Sequence, residues 1–134
     1  MKKTKLLHYP MYKNAGQQAE VDARFTLTGE PGKADNKPFY TGGDIGDLQV
    51  KSAKASVCRG TDIRAHVAID GANRYGYVSK ANYMYVMTPE EWIEMVDLFG
   101  YVTYESKKNG GAVKMRLRDE SNKMMTWLEA QVEA

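Results

Sequence analysis

The chain of 134 residues holds a single cysteine, four prolines and two histidines, and no apolar run long enough to span a bilayer. The lone thiol, Cys58, can close no disulfide within the chain and cannot build a cysteine-based zinc site. Few prolines, together with 43% hydrophobic and 27% charged residues, exclude disordered, collagen-like and coiled-coil chains. No Walker-type glycine loop and no dinucleotide fingerprint occurs. Ser52 and Ser56 have no base paired to them in sequence, which leaves serine-hydrolase chemistry unsupported. The start, Met1-Lys2-Lys3-Thr4-Lys5-Leu6-Leu7, has a basic head, but its apolar stretch breaks at His8 and Pro10 and does not read as a signal peptide. A cytoplasmic protein with no membrane partner is the expectation.

What is present suits one domain, residues 1–134, with a core over about 14–106 and a C-terminal hairpin and helix over 107–134. The formal net charge of +2 neither demands nor forbids nucleic acid. Acidic residues gather at Pro89–Asp97 and at the C-terminus, and basic ones at Lys51–Arg64 and Lys107–Arg118. That segregation fits either one positive face or ordinary solvated surface.

Periodicity and end signals divide the chain. A helix runs from an Asn14 cap to about Leu27, with Val21 and Phe25 on one face and Glu20 and Arg24 as an i,i+4 pair; Gly29–Gly32 ends it. An extended region split by Gly42-Gly43 reads as a hairpin, and Asp44–Ala53 as its second strand. There Leu48 and Val50 point one way, and Asp47, Gln49 and Lys51 the other. A short helix from Thr61 to Ala72 follows, then strands at Tyr75–Ser79 and Tyr83–Met87. Thr88-Pro89-Glu90-Glu91 combines cap, first-turn proline and capping-box glutamate. Trp92, Ile93, Val96 and Phe99 form that helix's apolar stripe, and Gly100 stops it. Tyr101–Glu105 and Ala112–Leu117 predict a hairpin around Lys107–Gly111. A last helix places Met124, Met125, Leu128 and Val132 at helical spacing. The fold expected is α/β or α+β, a mixed sheet flanked by helices.

Chemistry concentrates on Asp47-Leu48-Gln49-Val50-Lys51. Its polar face stacks a carboxylate, an amide oxygen and an ammonium at roughly 6–7 Å spacing. Oxygen ligands suit Mg²⁺, and a neighbouring lysine can orient water and steady charge on a phosphate. Asp35 and Asp44 are upstream carboxylates, and Glu20 is a further one on the first helix. The same pattern is equally that of a half-exposed strand, with Asp35 and Asp44 as turn residues.

These residues resemble the restriction-endonuclease-like superfamily, PD-(D/E)XK, whose motif places an aspartate ahead of a Glu-x-Lys strand. Asp35 precedes Gln49-Val50-Lys51 across the Gly42-Gly43 turn, and Glu20 lies on the helix before. Gly16-x-x-x-Glu20-x-x-x-Arg24-x-x-Leu27-Thr28-Gly29 also looks like small phage or mobile-element proteins of this type. The resemblance covers residues 14 to about 80, with short, degenerate motifs. It implies an αβββαβ core and a Mg²⁺- or Mn²⁺-dependent DNA endonuclease. In it Asp35, Asp44, Asp47 and Gln49 hold the metal, Lys51 assists the attacking water, and Glu20 completes the shell. Ser52, Lys54, Arg59, Arg64, Lys107 and Lys108 would hold the phosphate backbone, and a homodimer would cut both strands. The departure is Gln49, neutral where the family carries a carboxylate. It makes a non-catalytic interaction protein of the same fold, such as a phage-encoded binder or inhibitor, the alternative.

His66, near Arg64, reads either as a phosphate contact or as an ordinary half-buried histidine. His8 belongs to no constellation. Tyr75, Tyr77, Tyr83 and Tyr85 either stack on bases or pack as sheet tyrosines. Trp92 and Trp127 read as core.

Overall fold

A computed structural model describes residues 1–32, 45–52, 56–59, 63–104, 113–117 and 122–134. In chain order the elements are β1 (Lys2–Lys5), α1 (Ala15–Thr28), β2 (Leu48–Ser52), β3 (Ser56–Arg59), α2 (Ile63–Asp70), β4 (Arg74–Val78), β5 (Tyr83–Met87), α3 (Pro89–Phe99), β6 (Gly100–Tyr104), β7 (Val113–Leu117) and α4 (Asn122–Glu133). The fold is α+β: a mixed four-stranded sheet ordered β1-β5-β4-β2, flanked by helices, and a three-stranded sheet ordered β3-β7-β6. In the first sheet β2 runs parallel to β4, and the other pairs are antiparallel.

Local chemistry accounts for most boundaries. Asn14 Oδ1 accepts from the Gly16 and Gln17 amides and caps α1, and Gly29, at φ 74°, closes it in the left-handed region. The capping box at α3 is complete, with Thr88 bonded to the Glu91 amide and Glu91 to the Thr88 amide. Gly100 ends α3 in an extended conformation and starts β6 directly, which a left-handed cap would not allow. The short helix α2 stops at Asp70, not Ala72, because Gly71 turns to φ 63°.

Two expectations are corrected. The first element is a strand, β1, not a helix. Its sequence, Lys-Lys-Thr-Lys, carries no strand signal, and it forms because it pairs with β5. There Lys3 lies over the Tyr83 and Tyr85 rings at 4.6 and 5.7 Å, and Lys5 over Tyr83 at 4.5 Å. Second, Asp47 is not on a strand face. Ile45 and Leu48 exchange both backbone hydrogen bonds, at 3.1 and 3.0 Å, so Gly46 and Asp47 form the tight turn that leads into β2. Gly46 adopts φ 58°, which a residue with a Cβ resists. The expected Gly42-Gly43 turn and the Lys107–Gly111 loop lie outside the described residues.

The four-stranded sheet separates two apolar layers. On one face Ala19 and Ala23 of α1 pack with Leu6, Leu48, Val50, Val78 and Met84. On the other, Tyr75, Tyr77, Tyr85 and Met87 pack with Trp92, Ile93 and Val96 of α3, and with Met124 and Leu128 of α4. Leu117 joins the second cluster as well. Tyr75 stacks on Trp92 at 5.2 Å between centroids, 6° from parallel. Tyr75, Tyr77 and Tyr85 are at most 1% exposed, so they are core residues and offer no ring to a base.

Candidate functional site

On β2 the expected alternation holds. Leu48, Val50 and Ser52 are buried against the α1 side, and Gln49 and Lys51 are half-buried on the other side. The parallel register sets Gln49 beside Tyr75 and Lys51 beside Tyr77, on the face that α2 and α3 cover. Among the described residues neither Gln49 nor Lys51 makes a side-chain hydrogen bond or ion pair. Half-buried polar groups without internal partners can be completed by water or by a ligand.

Asp47 stands at the mouth of this strand and is engaged. Its Oδ1 accepts from Arg74 Nη2 at 2.7 Å and from Nε at 3.1 Å, and its carbonyl oxygen accepts from the Asn73 and Arg74 amides. The Arg74 guanidinium holds the Asp47 carboxyl below the usual aspartate range, mostly by hydrogen bonding. Beneath the loop that joins α2 to β4, Asp70 Oδ2 accepts from the Tyr75 hydroxyl at 3.0 Å and lies 3.6 Å from His66 Nε2. Burial first, and the Asp70 charge second, push the Tyr75 hydroxyl far above the ordinary tyrosine range. His66 thus has a carboxylate partner one helical turn away.

The other expected site residues are dispersed. Glu20 is on α1, the helix covering the face away from Gln49 and Lys51. Ser52 is 8% exposed and faces α1 as well. Arg64 pairs with Asp97 of α3 at 3.3 Å, and Arg59 ends β3 in the other sheet, opposite Lys114. Asp35, Asp44, Lys54, Lys107 and Lys108 lie outside the described residues. Among the described residues no group of three or more His, Cys, Asp or Glu side chains could hold a metal ion.

A constellation that sequence reading passes over lies on the α1 side. Asp22 is 2% exposed, and its carboxylate accepts from His8 Nδ1 at 2.9 Å, the Tyr9 amide at 2.9 Å, Gln18 Nε2 at 2.7 Å and Asn82 Nδ2 at 3.1 Å. Gln18 Oε1 accepts in turn from the Met11 and Tyr12 amides, which ties residues 8–12 onto α1. The available signal was an aspartate on the buried side of α1, one turn after Gln18. Its partners are too far off in sequence for any periodicity to reveal.

Comparison with protein-family models, curated proteins and solved structures finds no match to this chain. Among the described residues no helix is long and apolar enough to cross a membrane.

Proposed function

We propose that this chain is a metal-dependent DNA endonuclease with a restriction-endonuclease-like core. The observation that carries the reading is the pair Gln49 and Lys51, side by side on one face of β2 with no side-chain hydrogen bond or ion pair among the described residues, with the Asp47 turn at the strand's mouth. The order α1, β2, α2, β4 is also compatible with the outer elements of an αβββαβ core.

The fit of a divalent cation rests on carboxylates. Mg²⁺ favours charged oxygens, and Gln49 brings a neutral one. Asp35, Asp44 and Asp47 would hold the ion with Gln49, and of these carboxylates Asp47 alone is within the described residues. When bound, the ion supplies a water of lowered pKa and a positive charge at the phosphate. Lys51 would bind a non-bridging phosphate oxygen and steady the negative charge that grows there. Gln49 would orient the water through its amide, and a homodimer would present two such sites to the two strands of a duplex. Glu20 stands apart from this pair.

One observation favours a second reading, a non-catalytic interaction protein on the same fold. The carboxylate nearest Gln49 in sequence is already bonded twice by Arg74. Incubation of supercoiled plasmid and single-stranded DNA with Mg²⁺ or Mn²⁺, with and without EDTA, separates the two readings. Metal-dependent cutting, reduced roughly 10²-fold or more in Lys51→Ala, is the outcome expected. Folded protein that cuts nothing with either metal, or that cuts equally well as Lys51→Ala, ends the catalytic reading of this strand.

A further inference from the structure

We propose that the cavity beside α1, on the sheet face away from Gln49 and Lys51, binds a small neutral aromatic molecule through a primary carboxamide group. Its volume is about 620 Å³, within the ~300–1,000 Å³ of small-molecule sites. Leu6, Ala19 and Val78 give it an apolar wall, and His8, Ser79 and Asn82 bring polar atoms to it.

The charged side chains that line the cavity are already partnered, which selects a neutral guest. Asp22 accepts from His8 Nδ1, the Tyr9 amide, Gln18 Nε2 and Asn82 Nδ2. The Lys5 ammonium lies over the Tyr83 ring at 4.5 Å and donates to the Ala81 carbonyl at 2.7 Å, and Lys80 has a partner as well. The same contacts fix what remains for a guest. An ionised carboxylate accepts only, so Asn82 turns its amide nitrogen to Asp22 and keeps Oδ1 as an acceptor. Among the described residues nothing donates to that oxygen. The turn between β4 and β5 holds Asn82 at φ 63°, in the left-handed region that asparagine tolerates. His8 Nδ1 likewise carries its proton toward Asp22, which leaves Nε2 of the neutral ring as a second acceptor. Ser79, only 6% exposed, accepts from the Tyr83 amide at 3.3 Å and retains a hydroxyl proton to donate. Two acceptors and one donor complement the two N–H groups and the carbonyl of a primary carboxamide, and the apolar wall suits a flat ring.

This inference is independent of the endonuclease reading. Titration of the full chain, followed by amide NMR shifts, uses nicotinamide, nicotinate and methyl nicotinate as probes of nearly one shape. Nicotinate brings a negative charge and methyl nicotinate none, and neither has an N–H to donate. Saturable binding of nicotinamide is expected, with a Kd of about 1 mM for so small a probe. Nicotinate and methyl nicotinate should each bind about tenfold more weakly or worse. The shifts should gather at Ser79, Asn82 and the start of α1. His8→Ala should weaken nicotinamide about fivefold, and Ala15→Leu, at an exposed lining position, about tenfold, by filling space. Lys51→Ala should leave it unchanged. No saturation by nicotinamide up to about 20 mM overturns the proposal. So do nicotinate or methyl nicotinate binding as tightly as the amide, shifts gathered at Gln49 and Lys51, or an affinity that both His8→Ala and Ala15→Leu leave intact.

Discussion

Asp22 shows how one buried charge can organise a segment without secondary structure. Its four acceptor contacts hold His8, Tyr9, Gln18 and Asn82 about a side chain only 2% exposed. Removing it strands amide donors that water reaches poorly. Asp22→Ala should cost about 3 kcal/mol, read as a lower urea midpoint at constant slope. His8→Ala should cost less than about 1 kcal/mol, since the 58%-exposed ring recovers water. An unchanged midpoint in Asp22→Ala would show that the 8–12 segment is held by other means. Asp47 illustrates the opposite, exposed case. Arg74 lowers its folded pKa, so the pair's stabilisation is present above the unfolded aspartate value and is lost as pH falls through the folded one. Arg74→Ala should move the Asp47 titration upward by NMR and reduce the acid loss of stability attributable to that pair. With both side chains close to half exposed, the effect on stability is small.

Among the elements, β4 carries a constraint that comes from packing and not from a turn. A Cβ at Gly76 would lie 2.7 Å from Met84 Sδ and 3.4 Å from Leu48 Cδ1, between β4's neighbours β5 and β2. Gly76→Ala must displace the fully buried Met84, at a cost of about 1–2 kcal/mol. In the double variant with Met84→Ala the two losses should be less than additive, because the smaller side chain makes the space; full additivity in denaturant melts would refute the clash. The lysine-rich edge strand β1 obeys a related logic. Lys3 and Lys5 cover the tyrosines of β5 with their stems and ammonium groups, and their charges discourage another strand from adding to that edge. Glu129 of α4 accepts from both Lys3 Nζ and the Tyr85 hydroxyl, and those bonds lower its pKa. The contact links β1, β5 and α4.

For the whole molecule, the position of α4 decides cooperativity. Met124 and Leu128 are fully buried in the cluster that contains Trp92, Tyr75 and Tyr85 of the first sheet and layer, and Leu117 of the second sheet. One core therefore spans both sheets. Leu128→Ala should cost about 3 kcal/mol, and the tryptophan fluorescence and far-ultraviolet dichroism transitions should shift together. Separate transitions would mean that the β3-β7-β6 sheet unfolds independently.

Much of the element plan was legible, because caps and periodicity are settled within a few residues. Asn14, Thr88 with Glu91, the Leu48/Val50 alternation and the Met124/Leu128 spacing each pointed to the element that forms. The strand β1 was not, since four residues with three lysines bear no pattern until Tyr83 and Tyr85 are beside them. The candidate site divides the same way. That Gln49 and Lys51 share a face follows from the period of a strand, whatever the fold. That α1 and Glu20 cover the opposite face, that Arg74 occupies Asp47, and that His8 meets Asp22 and Asn82 were decided only by tertiary structure. A sequence pattern states which residues of one element look the same way. Which layer that face meets depends on contacts between residues as far apart as the 60 positions from Asp22 to Asn82, and only the packed chain brings them together.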